Sequence, residues 1–208
     1  MMVVSEESAW EALSNTPGCG VSVCTLSGEV VYSNAIDRQM VGTDASDGQG
    51  RYSLRDISAS GWGEEFCGQC QRACETGVAV RARSIHAGRQ VVARIIPLGD
   101  GQIDDGRVLV VRQHVAGPLD ERERVEVSRY VSLGRMSKLS PREVEVIALI
   151  GKGMPTRDIA EVLRLSPKTV EKHRDAIVRK IGEKSRIRLA TLAYDAGLML
   201  EDARRERM

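Results

Sequence analysis

Apolar and polar positions change rhythm twice along this chain. Val21, Val23 and Thr25 alternate with Ser22, Cys24 and Leu26, Ser27-Gly28 interrupts, and Glu29-Val30-Val31-Tyr32-Ser33 follows, which predicts a hairpin of two strands. Residues 78–86, 90–98 and 107–115 read as three further strands, broken at Ala87-Gly88-Arg89 and Gly99-Asp100-Gly101. Around them, residues 5–14 carry a short amphipathic helical pattern ended by Asn15-Thr16-Pro17-Gly18. Residues 35–61 are polar and glycine-rich, as loops and short helices are, and 64–76 form a helix closed by Gly77. Two strands, then helices, then three strands predict an α+β domain with a five-stranded antiparallel sheet and helices on one face, over residues 1–117.

Past Gly117-Pro118 the spacing turns helical. Leu119, Val125, Val127, Tyr130, Val131 and Leu133 supply apolar positions, and Glu121, Arg122, Glu123, Arg124, Glu126 and Arg129 supply opposite-charge neighbours, so a connecting helix is predicted over 118–136. Such a helix is a solvated spacer or, through its unpartnered stripe, a dimer seam. From 137 to 208 the pattern lays out four short helices. Ser140 before Pro141 with Glu143 three residues on, Thr156 after Pro155, and Ser166 before Pro167 are helix starts, because a hydroxyl there can accept from an orphan N–H and proline costs nothing in the first turn. The second and third helices, Arg157 to about Leu163 and 167–181, are separated only by Arg164-Leu165-Ser166, the short turn of a helix-turn-helix. On the third, Val170, Ile177 and Ile181 share one face, while Lys168, Lys172, Asp175 and Arg179 share the other.

Charge sharpens this division. The 208 residues carry a net charge of +1, but residues 138–208 hold 16 Lys/Arg against 11 Asp/Glu and the remainder 14 against 18. The basic part can approach phosphate; the acidic part is repelled by it. No apolar run approaches the roughly 20 residues that span a bilayer, and Ser5-Glu6-Glu7 is unlike a signal peptide, so a cytoplasmic protein without a membrane partner is expected. No phosphate-cradling Gly-Lys-Ser/Thr loop, nucleophile elbow or paired acidic cluster appears, and the expectation is a protein that is not an enzyme.

Leu139-Ser140-Pro141-Arg142-Glu143, Gly153, Ile159-Ala160, Leu165-Ser166-Pro167-Lys168-Thr169-Val170, His173-Arg174, Ile177, Lys180 and Ser185-Arg186 together resemble the LuxR-type helix-turn-helix across some 60 residues. The resemblance implies that helix 167–181 enters the major groove of double-stranded DNA and that Lys168, Thr169, Lys172 and Arg174 contact it. It also implies a fourth helix over 186–197 that packs against its twin in a homodimer, for which Ile187, Ala190, Ala193 and Ala196 are the candidate residues. Arg179 joins the DNA-facing set by its position. Glu171 and Asp175 on that surface accept from cytosine, tune affinity, or pair with Lys172 or Arg179, and intrahelical pairing is the favoured reading. His173, with no second His or Cys nearby, reads as a packing or phosphate-contacting residue.

Residues 5–115 resemble a PAS domain in the order of the Gly20-Val21-Ser22-Val23 strand, the hairpin at 27–34, Glu75-Thr76-Gly77 and Arg94-Ile95-Ile96-Pro97-Leu98. That resemblance implies a small cavity used for sensing or dimerisation, with a small molecule or a protein as partner. Cys67, Cys70 and Cys74 fall at i, i+3 and i+7, on one face of the 64–76 helix. Two readings stay open: thiols that hold an iron–sulfur cluster or zinc with Cys19 or Cys24, or that oxidise as a pair, and a plain buried stripe without metal or cofactor. His86 reads as a strand residue facing solvent. The chain is thus expected to be a DNA-binding transcription regulator controlled by a ligand, redox state or partner. The alternative is a constitutive DNA-binding dimer whose PAS-like domain is only an interaction module.

Overall fold

The computed structural model describes residues 6–43, 51–57, 61–99, 106–120, 122 and 124–208. Parts of the glycine-rich stretch expected over 35–61, namely 44–50 and 58–60, lie outside them, as do Glu121 and Glu123. Strands β1 (Cys19–Thr25), β2 (Glu29–Ser33), β3 (Tyr52–Ser53), β4 (Val80–His86), β5 (Arg89–Leu98), β6 (Arg107–His114), β7 (Glu126–Val131) and β8 (Glu206–Arg207) form one sheet in the order β3-β2-β1-β6-β5-β4-β7-β8. Its centre, β2-β1-β6-β5-β4, is the expected five-stranded antiparallel sheet of a PAS-like domain.

Helix α1 (Glu6–Ser14) packs along β1, while α2 (Ala35–Val41) and α3 (Trp62–Thr76) close the inner face. Trp62, Phe66, Cys70 and Ala73 of α3 bury against Cys24, Ala82, Ala93, Ile95, Val108 and Val110, inward positions two residues apart on their strands. Asn34 starts α2 by accepting from the Asp37 N–H at 2.8 Å.

The connecting helix is a correction. Among the described residues of 118–136 there is no α-helix; Glu126–Val131 is β7, which pairs in parallel with β4. Ser128 and Tyr130 point inward and Val127 and Arg129 outward, the two-residue period of a strand. Val127, Tyr130 and Val131 have β-branched or aromatic side chains that suit a pleated surface, and the free edge of β4 supplies a partner no isolated helix has. The expected intrahelical charge pairs are replaced by contacts to α3: Arg72 to Glu126 at 2.5 Å, and Ser128 Oγ and the Arg129 N–H to Glu65. The helical stripe expected for a dimer seam is therefore absent among the described residues of 118–136.

The second half carries α4 (Pro141–Gly151), α5 (Thr156–Leu163), α6 (Pro167–Ile181) and α7 (Arg186–Asp195), the expected four helices, followed by a 3-10 turn at Leu200–Arg204. Their core continues into the sheet through Ile85, Val131 and Leu133. Arg83 of β4, 1% exposed, reaches across this junction. It donates to both Asp202 oxygens (3.1 and 2.9 Å), to the Gly197 carbonyl (2.7 Å) and to Gln90 Oε1 (2.5 Å). Gly197 has φ of +54°, and a Cβ there would lie 2.2 Å from Gln90 Oε1, so only glycine allows this approach. β8 then extends the sheet in parallel with β7. No helix among the described residues is long and apolar enough to cross a membrane.

Candidate DNA interface

Helix α6 is set by its first turn. The Ser166 hydroxyl accepts from the Thr169 N–H at 3.1 Å, Pro167 occupies the position that needs no donor, and Gly182 ends the helix at φ of +76°. Arg164, at φ of +54°, turns the chain out of α5, and the Leu165 N–H caps the Ala160 carbonyl at 2.8 Å. Thr156 is a difference from expectation: it is the first helical residue of α5, with Pro155 as the cap, because Pro155 already holds the extended backbone that a cap needs.

Val170, Ile177 and Ile181 bury against Ile159, Ala160 and Leu163 of α5 and Val144 and Ile147 of α4. The opposite face is free: Lys168, Glu171, Lys172, Asp175 and Arg179 are exposed, and Thr169 and Arg174 are half-buried. The helix thus sets Lys168, Glu171, Lys172, Asp175 and Arg179 on its outer half, with Thr169 and Arg174 at the two margins beside the buried face. Exposed Arg157 on α5 and Arg164 in the turn, which the sequence reading did not single out, add cations beside it; neither follows an amphipathic pattern that would have marked it. The pairing expected for Glu171 and Asp175 is not formed: among the described residues no ion pair involves either. Exposed side chains gain too little from pairing to give up their hydration and freedom.

One polar contact ties α6 to α4: Lys180 Nζ lies 2.6 Å from Glu143 Oε2. Around it Arg142 of α4 donates to the Leu163 carbonyl of α5 at 2.6 Å, and Arg186 of α7 donates to the Met154 carbonyl at 2.9 Å. Glu143 also closes the capping box, accepting from the Ser140 N–H at 2.6 Å. Burial pushes its carboxyl up, but the Lys180 ammonium and the Ser140 donors outweigh this and hold it below the usual carboxylate range. The capping box was visible in the local spacing; Lys180 stands 37 residues away and no local signal links it.

The dimer candidates are divided by the fold, which corrects the expectation of one face. Ile187 is 79% exposed and Ala190 half-buried, but Ala193 and Ala196 are buried in the domain's own core. Ala193 sits where α7 crosses α4: a Cβ on Gly151 would lie 2.8 Å from its methyl. Nine residues at about 100° each carry position 196 half a turn away from position 187. The outward stripe of α7 is Ile187, Thr191 and Tyr194.

In the PAS-like domain, Cys67 and Cys70 are buried and Cys74 is half-buried, all three as free thiols. Burial raises all three thiols, and the five cysteines do not come together as a ligand set; among the described residues no group of three or more His, Cys, Asp or Glu is placed to hold a metal ion. His86 is not solvent-facing: it is 8% exposed and stands edge-on to Trp62, ring centroids 4.8 Å apart. Beside it lies a polar centre invisible to pattern reading, Arg112, whose guanidinium bonds Asp37 at 2.5 Å and Ser22 Oγ at 3.0 Å and stacks over Phe66. Tyr52 donates to the other Asp37 oxygen at 2.8 Å. Arg112 Nη2 is buried without a hydrogen-bond partner.

The sequence profile of the bacterial regulatory proteins of the luxR family matches residues 137–193. This is a LuxR-type regulatory domain. The transcriptional regulatory protein UhpA of Salmonella typhimurium is similar over 200 residues at 26% identity, covering 94% of this chain and 86% of that one. The oxygen regulatory protein NreC of Staphylococcus aureus is 44% identical over 61 residues, 29% of this chain and 28% of its own. Among solved structures, a VqmA–ligand–DNA complex of Vibrio cholerae has a TM-score of 0.52 at 20% identity, covering 99% of this chain and 95% of that one. That likeness extends over both the PAS-like and the LuxR-type domains as fold.

Proposed function

We propose that the chain is a homodimeric transcription regulator of the cytoplasm that lays α6 in the major groove of a DNA duplex. The observation that carries this reading is the divided surface of α6 inside a LuxR-type domain: Val170, Ile177 and Ile181 hold it from behind while Lys168, Lys172 and Arg179 stand free in front. Lys and Arg supply charge-assisted donors to phosphate and base edges, and the N–H groups of the first turn add attraction for a phosphate. Arg157 and Arg164 extend the phosphate-contacting surface. The exposed Ile187, Thr191 and Tyr194 of α7 are the dimer contacts in this reading.

The test uses duplexes selected by the intact chain from a random pool. Replacing Lys172 and Arg174 together with alanine is expected to weaken binding at least tenfold, the scale of one or more lost direct contacts, and to shallow the salt slope by about 1 for each phosphate contact removed. Unchanged affinity and slope would exclude α6 as the reading element.

A second reading is favoured by one observation. The centre of the PAS-like domain is filled by its own Arg112, Asp37, Tyr52 and Phe66, as in a module that serves only for interaction. Under it, DNA affinity of the intact chain is the same in oxidising and reducing buffer and in the presence of small-molecule extracts. A regulator controlled by ligand or redox state shows a shift in at least one of these.

A further inference from the structure

Between β7 and the segment after α7 the junction leaves a cleft of about 570 Å³, whose walls include Ser128 and Arg129 from one side and Glu145, Glu201, Arg204 and Arg205 from the other. The charge behind it does not balance. Asp202, fully buried, faces two guanidinium groups: Arg83 takes both its oxygens, and Arg205 Nη1 stands 2.9 Å from Oδ1. Arg83 spends its donors on Asp202, Gly197 and Gln90. Arg205 does not. Its side chain, 10% exposed, lines the cleft, and its Nη1, buried 2.9 Å from Asp202 Oδ1, makes no hydrogen bond, so charge alone ties it to that acid.

The other charges there leave this surplus standing. Glu145 is bonded to Arg142, and Glu65, behind Ser128, accepts from the Ser128 hydroxyl and the Arg129 N–H and stands 3.5 Å from the Arg129 guanidinium, an exposed pair that holds Arg129 only weakly. Arg204 is exposed and belongs to none of the ion pairs among the described residues; Glu201, also exposed, is the one opposing rim acid without such a pair. Burial lowers the Arg205 pKa and the neighbouring Arg83 lowers it further, against the pull of Asp202, Glu201 and Glu65. Arginines from two separate elements, with forked donors, match an anion that has several acceptor oxygens and more than one negative charge, which is a phosphate ester rather than a single carboxylate.

We propose that this cleft is a binding site for a small phosphate-bearing anion, held by Arg205 and Arg204 from the C-terminal segment and Arg129 from β7. The bound anion bridges the PAS-like sheet and the LuxR-type domain and stabilises their docking. The site is separate from α6 and does not depend on the DNA-binding reading.

The test is isothermal titration of the intact chain with inorganic phosphate, with chloride at matched ionic strength as control, together with thermal melts in both. Expected are saturable one-site binding, a melting midpoint higher in phosphate than in chloride, and slower amide exchange at residues 200–205. Arg204→Gln and Arg129→Gln, both at exposed positions that leave the buried pair intact, are expected to weaken binding at least tenfold each; Arg89→Gln, elsewhere on the surface, leaves it unchanged. Arg205→Gln is expected to abolish it, and its fold is checked by circular dichroism. No saturable binding, an equal midpoint in chloride, or full binding by Arg204→Gln and Arg129→Gln overturns the proposal.

Discussion

His86 is 8% exposed and stands against the Trp62 ring, where its charge is poorly solvated. Burial, with the repulsion of Arg112 and His114 added, pushes its pKa down from 6.5 to about 3. The unfolded chain therefore binds a proton below about pH 6.5 that the folded chain refuses. The contribution of His86 to stability is fully present above that pH and is lost progressively as pH falls toward 3. His86→Gln, which cannot titrate, is expected to lose less and less ground to the native chain as urea denaturation is repeated from pH 7 down to pH 4. A gap that stays constant over that range would mean the imidazole is not the cause. The sequence offered little warning: one histidine at a strand end has no periodic partner, and its burial follows from Trp62 arriving from α3.

At the scale of elements, caps were the most legible signal. Ser140 and Ser166 accept the N–H bonds their positions called for, and Ser185 does the same for α7, so helix starts in the second half could be read from four-residue windows. Ser166→Ala removes the acceptor for Thr169 and is expected to cost about 1 kcal/mol in chemical denaturation, with Ser166→Asp restoring most of it. A loss within error for the alanine variant would show that Pro167 and packing alone start α6. β7 was misread because charge spacing and apolar spacing over 118–136 suited a helix locally. What decided it was distant, the open edge of β4 and the carboxylate of Glu65 on α3. The small residues of α7 failed partly on spacing itself, since three-residue steps drift from position 187 to the opposite side at 196, and partly because spacing does not tell which side α4 claims.

For the whole molecule, the two halves were legible separately and their union was not. Nothing in local pattern joins Arg83 to Asp202 across 119 residues, and a buried arginine in a strand reads as a surface one. A buried pair of this kind is stabilising only while both members are present. Asp202→Ala leaves Arg83 and Arg205 facing each other without a counter-charge and is expected to cost about 3–5 kcal/mol in urea denaturation of the intact chain. The double replacement Arg83→Met with Asp202→Leu is expected to cost less than Asp202→Ala alone. If the single change costs under about 1 kcal/mol, water reaches the pair and the junction is looser than its geometry.

The seating of β8 beside β7 also dictates when the sheet can be completed. Residues 206 and 207 take their places only after β7 and the four helices that follow it have been made, and until then β7 is an uncovered edge and Arg83 waits for its acid. During synthesis the nascent protein passes through a stage with a sticky strand and a stranded cation, a stage at which chaperones would find it.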